Sequence, residues 1–228
     1  MERFYRWFAY MGLMVVSASM MLGFRHDPEA PASNYLFDLL VFVAYMAVHY
    51  GIMTPGWKRI VTGRPEGSLG ERQVYITVAV VSWLLVYGVH RPLPGPALDL
   101  PGWLGYVGGC GFLLSLFAFV EGATFDSLKG LLGIPGAAQT HTATAQTPLL
   151  TQGSYASVRH PMYRAFFFMA LSSLLLHPNA AQLAWAVILT SAFVVFIPIE
   201  ERQLIAARGD EYRRFMQETP WRLLRGIW

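Results

Sequence analysis

Between Arg164 and Glu200 the chain carries no Lys, Arg, Asp or Glu, and aliphatic and aromatic residues dominate the stretch. A segment this apolar has no polar face to offer water, so it belongs in a large core or in a bilayer. His177-Pro178-Asn179 interrupts it with a minimal turn. The stretch is therefore expected to fold back as two antiparallel helices. That brings the polar residues at its two ends, 153–163 and 200–202, to one edge of the structure.

The rest of the chain decides between core and bilayer. Further apolar blocks cover residues 8–24, 35–50, 74–89 and 103–120, and the charge-free stretch divides into 165–176 and 183–197. A helix needs about 20 residues to cross a hydrocarbon layer of about 30 Å. With 54% hydrophobic and 14% charged residues, the chain is too apolar for an ordinary soluble domain. The expected fold is all-α: a polytopic membrane protein of about six transmembrane helices, the last two a tight hairpin, followed by a C-terminal interfacial helix. The first block ends at Phe24-Arg25-His26-Asp27 without a small-residue cleavage site, which reads as a retained helix rather than a signal peptide. Residues 1–122 form a four-helix membrane region. Residues 123–228 hold a long loop, the hairpin and an amphipathic helix, and the two parts make one integrated domain.

Charge sets the orientation. If six spans alternate, Arg25 and Arg91 fall on one side and the remainder of the 17 Lys and Arg on the other. By the positive-inside rule the richer side is cytoplasmic, with both termini and the polar edge of the hairpin. The pI of about 9.1 thus reports topology and contact with anionic lipid, and no nucleic-acid partner is expected. A bacterial inner membrane suits these features. The single cysteine, Cys110, allows neither a disulfide framework nor a thiolate metal cluster and reads as a small packing residue.

Local features refine the picture. The fifth span, from Pro161 to His177, is only about 25 Å long and starts at or just inside the inner interface. Gly105 and Gly109 in the fourth span make a GxxxG face suited to close helix packing. Residues 122–152, rich in Gly, Thr, Ala and Gln, form the longest polar segment and lead directly into the 155–163 cluster, as a loop closing over a ligand would. After Glu201, the apolar residues Leu204, Ile205, Tyr212, Phe215 and Met216 alternate with Arg and Glu, as expected of a helix on the inner surface.

The two polar clusters carry the chemistry. Pro161 suits a first helical turn, which puts His160 at the N-cap and Arg159 just outside. A helix start beside an arginine favours an anion. The alternative is an interfacial anchor, with Tyr155 and Tyr163 in the aromatic belt. Glu200 and Glu201 follow an apolar helix directly. They suit ribose hydroxyls, an ammonium group or the arginines of the other cluster, and a plain interfacial salt bridge is equally open.

Together the clusters resemble a known superfamily. Thr147-Pro148-Leu149-Leu150-Thr151-x-Gly153-x-Tyr155-x-x-x-Arg159-His160-Pro161-x-Tyr163 is similar to the signature of integral-membrane S-adenosylmethionine methyltransferases. So is Glu200-Glu201-x-x-Leu204-x-x-x-x-Gly209-x-Glu211-Tyr212-x-x-Phe215. That superfamily includes isoprenylcysteine carboxyl, phospholipid and methanethiol methyltransferases. Upstream, His49-Tyr50-Gly51-Ile52-Met53-x-Pro55-x-Trp57-Lys58-Arg59, Glu71-Arg72-x-x-Tyr75 and Phe125-Asp126-x-Leu128 resemble its methanethiol S-methyltransferase and NnrU-type branch. The resemblance implies an enzyme that binds S-adenosylmethionine through Thr147, Pro148, Leu149, Leu150, Tyr155, His160, Pro161, Met162, Tyr163, Glu200 and Glu201. It implies that the methionine carboxylate lies near Arg159 and the helix start, and that tyrosine faces meet the sulfonium.

Two departures from the family pattern bear on substrate. Ala165 stands where glycine is usual. Phe196 stands where isoprenylcysteine enzymes resemble one another in having an arginine, and Pro198 follows it. Without that cation a carboxylate acceptor has no clamp, which favours a small or lipophilic neutral acceptor, foremost a thiol. Phe196 is then a substrate-facing residue. A thiol must react as thiolate. Arg159, His160 and His49 are the candidates to take its proton or stabilise its charge, with a packed, hydrogen-bonded role as the alternative for His49. Rival readings are a prenylcysteine carboxyl or phospholipid amine methyltransferase, a haem-binding membrane isomerase using His49, and a non-catalytic relative.

Overall fold

The computed structural model describes residues 2–51, 60, 63, 69–122 and 149–228. They form seven α-helices: α1 (Glu2–Leu22), α2 (Ser33–Gly51), α3 (Leu69–Val89), α4 (Trp103–Gly122), α5 (Pro161–Leu176), α6 (Ala180–Arg208) and α7 (Asp210–Glu218), with a 3-10 turn at Gly153–Ala156. Among the described residues there is no β-strand, only isolated bridges of His26 with Leu93 and of Ala97 with Asn179. Helices satisfy their own backbone polar groups, which apolar sequence in a lipid setting requires.

Two helical stretches, Trp103–Val120 and Ala180–Arg208, are long and apolar enough to cross a membrane by themselves; the apolar parts of three others, Phe8–Leu22, Gln73–Val89 and Pro161–Leu176, are shorter. The outside of the bundle is apolar along its length, with Met14, Leu40, Leu85, Leu114, Phe117 and Val194 all at least 60% exposed. An exterior of this kind is stable against lipid tails and not against water.

One end of the bundle is capped by three short connections, residues 23–32, 90–102 and 177–179. Leu93 N donates to Arg25 O (3.1 Å), Leu98 N to Pro178 O (2.7 Å), and Ala180 N to Pro96 O (3.1 Å). Buried His90 accepts from Arg25 N at 2.9 Å, and Asp38 accepts from Arg91 N at 2.9 Å. Burial lowers the pKa of His90, so it holds its place in the cap as a neutral ring. Below the cap, Phe24 stacks on Trp185 with centroids 4.1 Å apart. Gln182 ties Phe24 N (3.1 Å) to the Ser173 hydroxyl (2.9 Å).

The hairpin forms as expected. Asn179 caps α6 by accepting from Gln182 N at 2.9 Å, and α5 packs against α6. The glycine expectation needs correction. α4 lies tightest on α5, but through Gly108 and Gly111: a Cβ on Gly108 would lie 2.7 Å from the Ser172 carbonyl oxygen, and one on Gly111 2.7 Å from its hydroxyl. Gly105 faces open space and Gly109 makes only an ordinary contact. Cys110 is exposed and so is not a packing residue. Gly209, at φ +56, ends α6 and turns the chain into α7. There Tyr212 and Phe215 are buried within the protein, so the apolar face expected to rest on the membrane packs on the polar end of the bundle.

Candidate active site

Residues 158–160 lie against the C-terminal tail. Arg159 N donates to Trp221 O (2.9 Å) and His160 N to Arg222 O (3.0 Å). Pro161 then opens α5 with His160 at the N-cap, as its missing N–H and fixed φ favour. This pins the start of α5 against the end of α6, where Glu200 and Glu201 sit.

The two glutamates, one helical position apart, have opposite fates. Glu201 is buried: its Oε1 accepts from Arg159 Nε (2.7 Å) and meets His160 Nε2 at 3.3 Å, and its Oε2 accepts from Arg222 Nε (2.8 Å). Arg159 also donates to Thr219 O at 2.8 Å, and its side chain is 4% exposed. The cation expected to await an anion is instead turned inward, where it joins α6 to the C-terminal tail. Glu200 is about a third exposed, its Oε2 lies 3.9 Å from His160 Nδ1, and that oxygen has no hydrogen-bond partner. A buried carboxylate oxygen without a donor is an acceptor available to a ligand.

Tyr163, a turn into α5, interacts with both Glu200 and Tyr50. Tyr155 also faces this region: burial first, and then the Glu200 charge, push its phenol up to about 12. Leu149 and Leu150 are half-buried, and Met162 packs at the edge of the core. Thr147 and Pro148 lie outside the described residues, as do Pro55, Phe125 and Asp126 of the upstream resemblance.

Behind Tyr163 a cavity of about 250 Å³ opens inside the bundle. Its polar wall is made by Tyr45, His49 and Tyr50 of α2, Tyr75 of α3 and Tyr163 of α5. His49 Nε2 lies 3.2 Å from the Tyr75 hydroxyl, and Tyr45 stacks on its ring with centroids 5.3 Å apart. Thus His49 stands apart from the Arg159–Glu201 cluster, linked to it through Tyr50 and Tyr163. A second depression of about 710 Å³ runs between α2 and α6 on the outside of the bundle and ends at Glu200. Met46, Tyr50 and Ala192 line both spaces. Phe196 lies face to face with Tyr50 at their boundary, centroids 3.3 Å apart and planes within 1°.

Sequence reasoning overlooked Arg222, Thr219 and Tyr45. The first two come from a tail whose approach to Arg159 no local pattern announces. Tyr45 had a signal: it lies one helical turn before His49 on α2, where side chains share a face.

The sequence profile of the isoprenylcysteine carboxyl methyltransferase family matches residues 138–206, the span from the loop through both polar clusters. Over 209 residues the chain is 30% identical to a methanethiol S-methyltransferase of Mycobacterium tuberculosis, covering 86% of this chain and 82% of that one. It is 31% identical over 200 residues to methanethiol S-methyltransferase 1 of Bradyrhizobium diazoefficiens, covering 80% and 66% of the two chains. A protein-S-isoprenylcysteine O-methyltransferase of Schizosaccharomyces pombe is 37% identical over 73 residues, about a third of either chain. With the paired clusters and the helical hairpin, these matches agree: the chain is a methyltransferase that belongs to the isoprenylcysteine carboxyl methyltransferase family, on the branch containing the methanethiol S-methyltransferases.

Proposed function

We propose that this methyltransferase moves a methyl group from S-adenosylmethionine to a small neutral thiol, such as methanethiol, at the cytoplasmic edge of a bacterial inner membrane. The observation that carries the reading is Glu200 Oε2: a buried acceptor without a partner, beside His160, Tyr155 and Tyr163, on the residue where the outer depression ends. Such an oxygen fits a hydroxyl or ammonium group of the cofactor. Glu200, Tyr155, His160 and Tyr163 would hold S-adenosylmethionine, with Leu149, Leu150, Pro161 and Met162 as apolar contacts and Thr147 and Pro148 by their place in the motif. Arg159 and Glu201 brace that site from behind. When bound, the cofactor supplies an electrophilic methyl group on a sulfonium, a charge that favours the aromatic faces present here.

The acceptor side is read from the cavity. It meets the cofactor residues at Tyr163, and among the described residues no Lys, Arg, Asp or Glu is in its lining. A carboxylate acceptor would be desolvated there without a counter-ion, at a cost of several kcal/mol. A small thiol meets no such penalty, and a cavity of about 250 Å³ is below the usual size of sites for drug-sized ligands. Relatives matched over most of the chain bear the name methanethiol S-methyltransferase, which supports the same acceptor. The chain contributes position and dryness, which can supply much of the rate of an in-line displacement.

The orientation follows from charge. Among the described residues, Arg25 and Arg91 are the Lys and Arg at the capped end, which by the positive-inside rule supports reading that end as outer and the cofactor end as inner. Residues 1–122 supply most of the acceptor cavity and residues 123–228 the cofactor side, so the two parts act as one unit. Purified protein should bind S-adenosylmethionine in calorimetry and transfer labelled methyl to alkanethiols in preference to prenylcysteines or phosphatidylethanolamine. Absence of binding refutes the cofactor, and preference for either lipid refutes the acceptor.

A further inference from the structure

One imidazole faces the proposed acceptor cavity, and it is held on two sides. Tyr45 stacks on His49 at an interplanar angle of 26°, and the Tyr75 hydroxyl lies 3.2 Å from Nε2. Its other nitrogen, Nδ1, is buried and has no hydrogen-bond partner. Buried polar atoms in folded proteins are nearly always paired, so one left unpaired on a cavity wall calls for a chemical reason. With the ring proton on Nε2 and donated to the Tyr75 oxygen, the Nδ1 lone pair is unshared. Among the described residues, the other polar side chains on the wall are the phenols of Tyr45, Tyr50, Tyr75 and Tyr163 and the Trp83 indole, whose N–H donates to Ser19 Oγ, and no carboxylate is in that lining. Phenols are poor bases, so the imidazole of His49 is the strongest base among the described side chains of that wall.

Resting on the reading of the acceptor as a thiol, we infer that His49 Nδ1 takes the thiol proton during methyl transfer and that Tyr75 is a positioning residue that sets the imidazole tautomer. A thiol in an apolar cavity reacts only as it loses its proton. The sulfur–hydrogen bond breaks with its electron pair kept on sulfur and the proton passing to Nδ1. That pair forms the new bond from sulfur to the transferred methyl carbon, as the methyl's bond to the donor breaks with its pair left on the donor. The product is a methyl thioether, and His49 returns its proton to water as the product leaves. Fixing the ring through its second nitrogen is how neighbouring groups choose which histidine nitrogen acts.

The test compares His49→Gln and Tyr75→Phe with the wild type, using S-adenosylmethionine and thiols graded in acidity from an alkanethiol to an aryl thiol. Loss of a general base lowers rates by about 10²–10⁴-fold. For His49→Gln the expected loss is in that range for the alkanethiol and under about tenfold for the aryl thiol, which is ionised before it binds. Tyr75→Phe should show the same trend at smaller amplitude, in kcat rather than KM; it also carries the comparison if His49→Gln does not fold. A second readout needs no methyl donor: a chromogenic aryl thiol should ionise at lower pH bound to the wild type than bound to His49→Gln. Equal losses across the thiol series, or coincident ionisation curves, overturn the assignment alone. A wild type that binds S-adenosylmethionine but methylates no thiol overturns the acceptor reading and this assignment with it.

Discussion

Arg159 Nε and Glu201 Oε1 lie 2.7 Å apart with both side chains buried, while Glu200, the preceding residue of the same helix, keeps Oε2 without a partner. A step of one residue along an α-helix turns a side chain by about 100°. That rotation alone separates a carboxylate clamped by two arginines from one that keeps an oxygen without a donor.

Removing Glu201 should therefore unfold rather than disarm. Glu201→Ala leaves Arg159 buried without its counter-ion, and breaking a buried pair in this way costs about 3–5 kcal/mol. The melting temperature of the detergent-purified protein should fall by roughly 10 °C. Glu200→Gln should leave melting unchanged and weaken S-adenosylmethionine binding about tenfold, the worth of one charge-assisted hydrogen bond. The reverse pattern would show that the two roles are exchanged.

The glycines of α4 separate in the same manner. Gly108→Ala places a methyl group 2.7 Å from the Ser172 carbonyl oxygen, where backbone must move. Overpacking of this kind costs about 1–3 kcal/mol. Gly105→Ala meets nothing within 4 Å and should be neutral or slightly stabilising, since alanine favours helix. Equal melting of the two variants would contradict the close approach of α4 to α5 at Gly108.

Phe196 and Tyr50 close the boundary between the outer depression and the inner cavity. Phe196→Ala removes the outer ring of the stack, and methylation should extend to thiols with longer or branched chains. On the proposed assignment of Phe196 to the acceptor side, Phe196→Arg should keep cofactor affinity. An acceptor range unchanged in Phe196→Ala would mean that the stack does not limit access.

Tyr155 makes a prediction at alkaline pH. Its folded-state pKa of about 12 is above the ordinary tyrosine value near 10. Between these values the unfolded chain releases a proton that the folded chain keeps. Stability contributed by the neutral phenol is thus complete below pH ~10 and declines as pH rises toward ~12. Tyr155→Phe cannot ionise and should flatten that part of the melting-versus-pH curve. An unaltered slope would place Tyr155 in water.

Much of the site was legible because its signals are local. The Pro161 start of α5, the charge-free hairpin and the turn at Asn179 are short-range features, and they suffice to bring residues 159–163 to Glu200 and Glu201. Arg222 was not legible. It reaches Glu201 only because Gly209 turns the chain and α7 buries Tyr212 and Phe215, which returns the tail to the start of α5. The GxxxG spacing of Gly105 and Gly109 misled for a related reason: it marks a smooth strip on a helix but not the side on which a neighbour lies.

By itself, the sequence determined the all-helical class, the antiparallel hairpin and the meeting of the two polar clusters, because hydropathy and turn chemistry act over a few residues. Tertiary structure decided which glutamate is clamped by arginines and which keeps an oxygen without a donor, that Arg159 faces inward, that Gly108 rather than Gly105 bears on α5, and that His49 and Tyr163 share a cavity. Those outcomes depend on the rotational phase of each helix against its neighbours. Close packing fixes that phase over the whole bundle at once.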